Sequence, residues 1–208
     1  MKKSEIPFGA QFSPSQVNLP RLSQIIHDDA GDRTGITEVI DSELPLSQIL
    51  ANLKLPDKHV RGKALERLGI YFTRLIDLDF KGWLMRSVDS NGGEIEIVAN
   101  DRSVPFNRWQ IQCRNVSQTG MGDIATAVGR GISFKPNVLL SLTTGHFTQQ
   151  ARYYATKAMQ FTNLQILLVD APDLSTIASN SKAIKGILNR ETEQARNAKE
   201  PQIAPLYA

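Results

Sequence analysis

The sequence predicts an α/β protein in which a mixed β-sheet is flanked by helices, and three observations carry that prediction. Residues 93–99 and 108–114 alternate polar and apolar side chains with period two, as strands do. Residues 58–78 place Leu65, Leu68, Phe72, Leu75, Ile76 and Leu78 at three- and four-residue spacing with no intervening proline, as helices do. Residues 137–142 and 165–169 are short apolar runs, each followed by a helical segment, which is how parallel strands joined by crossover helices read.

Taken in order, residues 1–20 hold Pro7, Pro14, Pro20 and Gly9 and predict an extended or looped arm. Short helices are expected over residues 22–30 and from about 37 to 41. A further one is expected over 46–53, entered through Pro45, whose fixed φ suits a helix start. Residues 1–57 thus read as a small helical extension or docking arm, and residues 58–208 as the main domain. After the helix at 58–78 come three strands, 82–88, 93–99 and 108–114, the first two joined by an Asn91-Gly92-Gly93 turn. A helix over 122–131, a strand over 137–142 and a helix over 147–161 follow. A strand at 165–169, a helix from about Pro172 and a last helix over 181–198 complete the order, before a tail broken by Pro201 and Pro205. The resulting core order is α-β-β-β-α-β-α-β.

Bulk properties narrow the function classes. The chain has 208 residues, enough for one well-buried domain plus an appendage, and its 41% hydrophobic content is that of a globular protein rather than a disordered one. The start lacks an apolar segment of signal-peptide type and no run of about 18 apolar residues exists, so neither secretion nor a membrane span is expected. A lone cysteine, Cys113, leaves no internal disulfide and no cysteine cluster for zinc, and a cytoplasmic location is the default. The net charge of +3 splits into −2 over residues 1–60 and +5 over residues 61–208. A mildly basic second part suits a phosphate-rich partner but is equally an ordinary solvated surface.

The polar faces of two strands carry the chemistry. Glu94 and Glu96 share one face opposite Ile95, Ile97 and Ala99, while Gln110, Gln112 and Arg114 share one face opposite Ile111 and Cys113. With one face buried, these polar sides are expected to be open. Two carboxylates, two amides and a guanidinium on neighbouring strands can hold a hard divalent cation and a phosphate between them. The same residues read singly as a solvated strand face, with Arg114 in a salt bridge to Glu94 or Glu96. Thr143-Thr144-Gly145-His146-Phe147-Thr148 enters a helix, where Thr144 or Thr148 is a cap or a phosphate contact. Arg130 to Lys135 reads as an exposed loop, or as one that touches a nucleic-acid backbone.

Four landmarks in order resemble the Mrr-like branch of the PD-(D/E)xK restriction-endonuclease superfamily over about residues 60–175. They are Ala64-Leu65-Glu66, Gly93-Glu94-Ile95-Glu96, Trp109-Gln110-Ile111-Gln112-Cys113-Arg114-Asn115, and Leu142-Thr143-Thr144-Gly145-His146-Phe147-Thr148. The resemblance implies a restriction-endonuclease-like αβββαβ core and Mg²⁺- or Mn²⁺-dependent hydrolysis of DNA. It implies Glu96 and Gln112 as metal ligands, Glu66 as a third acidic group from the first helix, and Arg114 at the position of the lysine. Thr144, Arg130 and Lys135 are the expected DNA contacts. Arginine keeps its charge and can grip phosphate bidentately, but it cannot act as a base. The strand acid is a glutamate where aspartate is usual, which moves the carboxylate outward by a methylene.

The reading that results is a metal-dependent endonuclease of a prokaryotic restriction or phage-defence system. It would act as a homodimer, with target choice left to the N-terminal extension or to methyltransferase or helicase subunits. Two alternatives stand beside it: a catalytically altered nuclease-fold module that binds DNA or partner proteins, and a metal-dependent phosphodiesterase acting on RNA.

Overall fold

The computed structural model describes residues 44–87, 93–104 and 106–199. The helices expected over 22–30 and 37–41, the Asn91-Gly92 turn and the tail beyond 199 lie outside the described residues. Within them the elements are α1 (Leu46–Asn52), α2 (Lys58–Leu75), β1 (Leu78–Met85), β2 (Glu94–Asp101), β3 (Arg108–Arg114) and β4 (Gln118–Thr119). Then follow α3 (Met121–Phe134), β5 (Val138–Thr143), β6 (His146–Phe147), α4 (Gln149–Phe161), β7 (Gln165–Val169), α5 (Ala171–Ser179) and α6 (Ala183–Lys199).

Five strands form one mixed sheet in the order β1-β2-β3-β5-β7. The pairs β1–β2 and β2–β3 are antiparallel, and β3–β5 and β5–β7 are parallel. β4 and β6 make a separate two-residue parallel pair, too short to leave a periodicity in the sequence. The first strand starts at Leu78, four residues before the expected position, because Asp77 adopts a left-handed conformation (φ 56°) that ends α2 and turns the chain into the sheet.

One face of the sheet presents Ile95, Ile97, Ile111, Cys113, Leu140 and Leu142, and α1, α2, α5 and α6 pack on it through Ile49, Leu65, Leu68, Phe72, Leu174 and Ile184. α2 is fixed at its start by Asp57, whose carboxylate accepts from the backbone N–H groups of His59 and Val60 at 2.8 and 3.2 Å. On the other face Leu139, Ile166 and Leu168 meet Ile124 and Ala127 of α3 and Ala151, Ala155 and Met159 of α4. The expectation of an open polar face is therefore corrected. Glu94, Glu96, Gln110 and Gln112 are all buried, Glu96 and Gln112 to 0% exposure, because α3 closes over the middle of the sheet. The expected loop at Arg130–Lys135 is likewise corrected: α3 runs on to Phe134, and Lys135 is its left-handed C-cap (φ 47°).

Candidate active site

The register of the sheet lines up polar residues in two rungs beneath α3. Glu96 pairs with Gln112 and Gln112 with Ser141; one rung along, Glu94 pairs with Arg114 and Arg114 with Thr143. Period two on three adjacent strands puts all six side chains on one face. Ser141 is the only polar residue inside the apolar run of β5 before Thr143, and its place on the rung explains it.

The side chains are tied into one network. Gln112 Nε2 donates to Glu94 Oε1 at 2.8 Å, and Ser141 Oγ donates to Gln112 Oε1 at 2.9 Å. These two bonds fix the amide orientation, with its nitrogen toward β2 and its oxygen toward β5. Arg114 Nη1 lies 2.9 Å from Glu94 Oε2, and its Nη2 lies 3.0 Å from Asp123 Oδ1. Asp123 also accepts from the Gly120 backbone N–H at 2.7 Å, which anchors the first turn of α3 to β3. From the same helix Arg130 Nη1 reaches Glu94 Oε1 at 3.1 Å and Glu96 Oε1 at 2.8 Å. Thr119 Oγ1 bonds Thr143 Oγ1 at 2.9 Å and closes the end of the second rung.

The two glutamates are in different states. Both Glu94 oxygens are held by guanidinium or amide donors. Glu96 Oε2 is buried and has no hydrogen-bond partner among the described residues. Burial is the main cause pushing the Glu96 carboxyl up to about 7; the Arg130 guanidinium pulls it down, and Glu94 adds to the rise. Burial works against the charge on Arg130, yet Glu96 and Glu94 hold it above its ordinary value.

This donor set fits a hard divalent cation. A carboxylate oxygen without a partner and an amide oxygen with one lone pair unused stand on neighbouring strands. No group of three or more His, Cys, Asp or Glu side chains is spaced to share one ion among the described residues. A mixed carboxylate–amide pair would be the protein share for such an ion; magnesium-type ions are commonly held by one or two protein ligands, with water and phosphate oxygens filling the octahedron.

The other residues singled out from the sequence fall in several places. Glu66 is buried on α2, where it accepts from Ser87 Oγ at 2.8 Å and from Arg86 Nη2 at 3.3 Å. α2 packs on the apolar side of the sheet, and the structure does not join Glu66 to Glu96 or Gln112. Thr144 donates its hydroxyl to Asn115 Oδ1 at 2.8 Å and its N–H to the Arg114 carbonyl. Thr148, not Thr144, is the N-cap of α4, accepting from Ala151 N–H at 3.0 Å. Lys135 and His146 are exposed, and Cys113 is buried in the core opposite the polar rungs, where burial raises its thiol. Sequence reading missed Asp123 and Ser141; an acidic first-turn residue and a lone serine in an apolar strand were the available signals.

Residues 59–178 match the family model Mrr_cat, described as a restriction endonuclease. Two solved structures are similar to this chain. One is the MspJI restriction endonuclease in complex with a 27-mer oligonucleotide, at 15% identity and a TM-score of 0.33, covering 88% of this chain and 40% of that one. The other is the DNA modification-dependent restriction endonuclease AspBHI, at 13% identity and a TM-score of 0.34, covering 87% of this chain and 44% of that one. The chain thus spans less than half the length of either structure. No curated protein matches it.

Proposed function

The chain belongs to the restriction endonuclease family, and from that premise we propose that it is a divalent-metal-dependent DNA endonuclease whose centre is Glu96, Gln112 and Arg114. The observation that carries this reading is the buried Glu96 Oε2, unpartnered among the described residues, on the same rung of the sheet as Gln112. A buried carboxylate oxygen left without a partner is costly, and a cation shared with Gln112 would relieve the cost. Magnesium or manganese bound there would acidify a water and neutralise charge on the phosphoryl oxygens.

The chain's own groups do the rest. Gln112, on the same rung as Glu96, is held in place by its bond to Glu94 and by the Ser141 hydroxyl that donates to its oxygen. Arg114 brings a permanent positive charge to the next rung, where it would stabilise the negative charge that develops on the phosphate. It supplies no base, so the proton of the attacking water must leave to solvent or to a phosphate oxygen. Glu66, held away by Ser87 and Arg86, acts as a support for the end of β1 rather than as a ligand. Thr144, just past the C-terminal end of β5, and the exposed Lys135, before its N-terminal end, are candidate phosphate contacts. The wider setting we propose is restriction or phage defence, with a homodimer for double-strand cleavage and target choice supplied by residues 1–57 or by methyltransferase or helicase subunits.

One observation favours a second reading, that of a nuclease-fold DNA-binding module without cleavage: both terminal nitrogens of Arg114 are engaged by Glu94 and Asp123. Purified protein incubated with supercoiled plasmid in Mg²⁺, Mn²⁺ or EDTA separates the two. Nicking or linearisation that needs metal and is lost in Glu96→Ala supports the enzyme; intact plasmid with DNA binding retained supports the module.

A further inference from the structure

The shape of the Arg130 contact goes beyond a surface ion pair. A single nitrogen, Nη1, lies within hydrogen-bond distance of carboxylates from both Glu94 and Glu96, so its charge is centred between the two acids of β2. A guanidinium in a plain salt bridge usually meets one carboxylate with two nitrogens; this one bridges two carboxylates with one nitrogen, as a cation would. The helix is able to come close because of the next residue. A Cβ on Gly131 would stand 2.8 Å from Gln110 Oε1, so the missing side chain lets this turn of α3 settle close to the sheet without displacing Gln110.

Charge and exposure point the same way. Three carboxylates (Glu94, Glu96, Asp123) and two guanidiniums (Arg114, Arg130) make up the cluster. A divalent cation added with Arg130 in place would leave the cluster net positive, whereas a cation exchanged for Arg130 leaves it neutral. The Arg130 side chain is 33% exposed while that of Glu96 is 0%, so the guanidinium has a path to solvent that the carboxylate lacks.

Resting on the metal-centre reading above, we propose that Arg130 and the divalent cation compete for the Glu96 carboxylate, which Arg130 already holds by Oε1. In the metal-free protein the guanidinium fills the space between Glu94 and Glu96, and it swings outward when the cation enters. Arg130 is thus a positioning residue that sets the threshold for metal loading, and cation binding is weaker than the ligand pair alone would give.

The test is calorimetric titration of Mn²⁺ into the full-length wild type, Arg130→Met, Arg114→Met and Arg130→Met/Glu96→Gln. Competition predicts that Arg130→Met binds Mn²⁺ about tenfold or more tightly than wild type. Arg114→Met, which removes an equal charge that touches Glu94 and Asp123 but not Glu96, should gain clearly less, and the double variant should lose the site. Equal gains in the two single variants would reduce the effect to a general field and overturn the proposal. Wild-type binding that depends on Glu96 and is not tightened by Arg130→Met would overturn it while leaving the metal centre intact. No Mn²⁺ bound by wild type or Arg130→Met would remove the metal centre itself, and the proposal with it. A second readout requires no variant to fold: in a ¹⁵N spectrum of wild type, Mg²⁺ should shift the Gln112 side-chain amide and move the Arg130 Nε–H toward fast solvent exchange. A shift at Gln112 with Arg130 unmoved contradicts the exchange.

Discussion

Glu96 and Arg130 meet across two layers of the fold: a fully buried strand carboxylate accepts at 2.8 Å from a guanidinium that a covering helix lowers onto it. The same carboxylate has a second oxygen with no partner among the described residues. This half-satisfied state is the source of most of what the site should do.

Replacing Glu96 with glutamine keeps the volume and removes the charge. Plasmid cleavage should fall roughly 100-fold or more, as expected for loss of a metal ligand. The fold should survive, because the variant no longer buries an unpaired carboxylate oxygen. Cleavage rates beside thermal melts at pH 8 check both halves; a parallel loss of activity and stability would count against a ligand role.

The pH dependence has a definite sign. The Glu96 carboxyl sits at about 7 in the folded chain against an ordinary 4.5, chiefly through burial. Between those values the folded state holds a proton that the unfolded state has released. The contribution of Glu96 is therefore fully present below about pH 4.5 and is lost as pH rises through about 7. Measured in EDTA, wild type should lose on the order of 2 kcal/mol relative to Glu96→Gln between pH 5 and pH 8. A difference that does not change with pH would show that Arg130 already compensates the charge.

Arg114 has two jobs that substitutions can separate. Arg114→Ala leaves Glu94 and Asp123 without their shared guanidinium and should cost about 2 kcal/mol of stability, less than a fully buried pair because the side chain is partly exposed. Cleavage should fall about 100-fold through lost phosphate stabilisation. Arg114→Lys keeps the charge but reaches one carboxylate, so it should lose less stability and retain or raise cleavage. Single-turnover rates and melting temperatures for the pair decide this; a lysine variant as inactive as alanine would mean that the bidentate fork itself is required.

Three glycines give a stability series that is independent of chemistry. A Cβ at Gly145 would lie 2.1 Å from the Ser117 carbonyl oxygen, a backbone atom that cannot step aside, so Gly145→Ala should cost about 3 kcal/mol or more. Gly131→Ala meets the movable Gln110 side chain and should cost about 1–2 kcal/mol. Gly129 lies mid-helix with nothing within 4 Å, and Gly129→Ala should stabilise by up to about 1 kcal/mol. Urea unfolding of the three variants checks the order.

Much of this fold could be read locally. β3 and β7 fall on their expected residues because alternation in one and an apolar run in the other are short-range signals. Alternation also sorted Glu94, Glu96, Gln112 and Arg114 onto one side of the sheet. It could not say what covers that side, since the docking of α3 depends on contacts between residues far apart in sequence, such as Arg130 with Glu96 and Asp123 with Arg114. For the same reason the bonds of Arg130 to Glu94 and Glu96, and those of Glu66 to Ser87 and Arg86, left no local signal. The β4–β6 pair has two residues on each side, below the length at which any pattern repeats.

The measurement that tests the metal centre most directly is anomalous diffraction from crystals of the full-length protein soaked in Mn²⁺. A peak within coordination distance of Glu96 Oε2 and Gln112 Oε1, with Arg130 turned away from Glu96, is the predicted result. Manganese bound elsewhere, or absent while Arg130 still bridges Glu94 and Glu96 at saturating metal, would contradict the account.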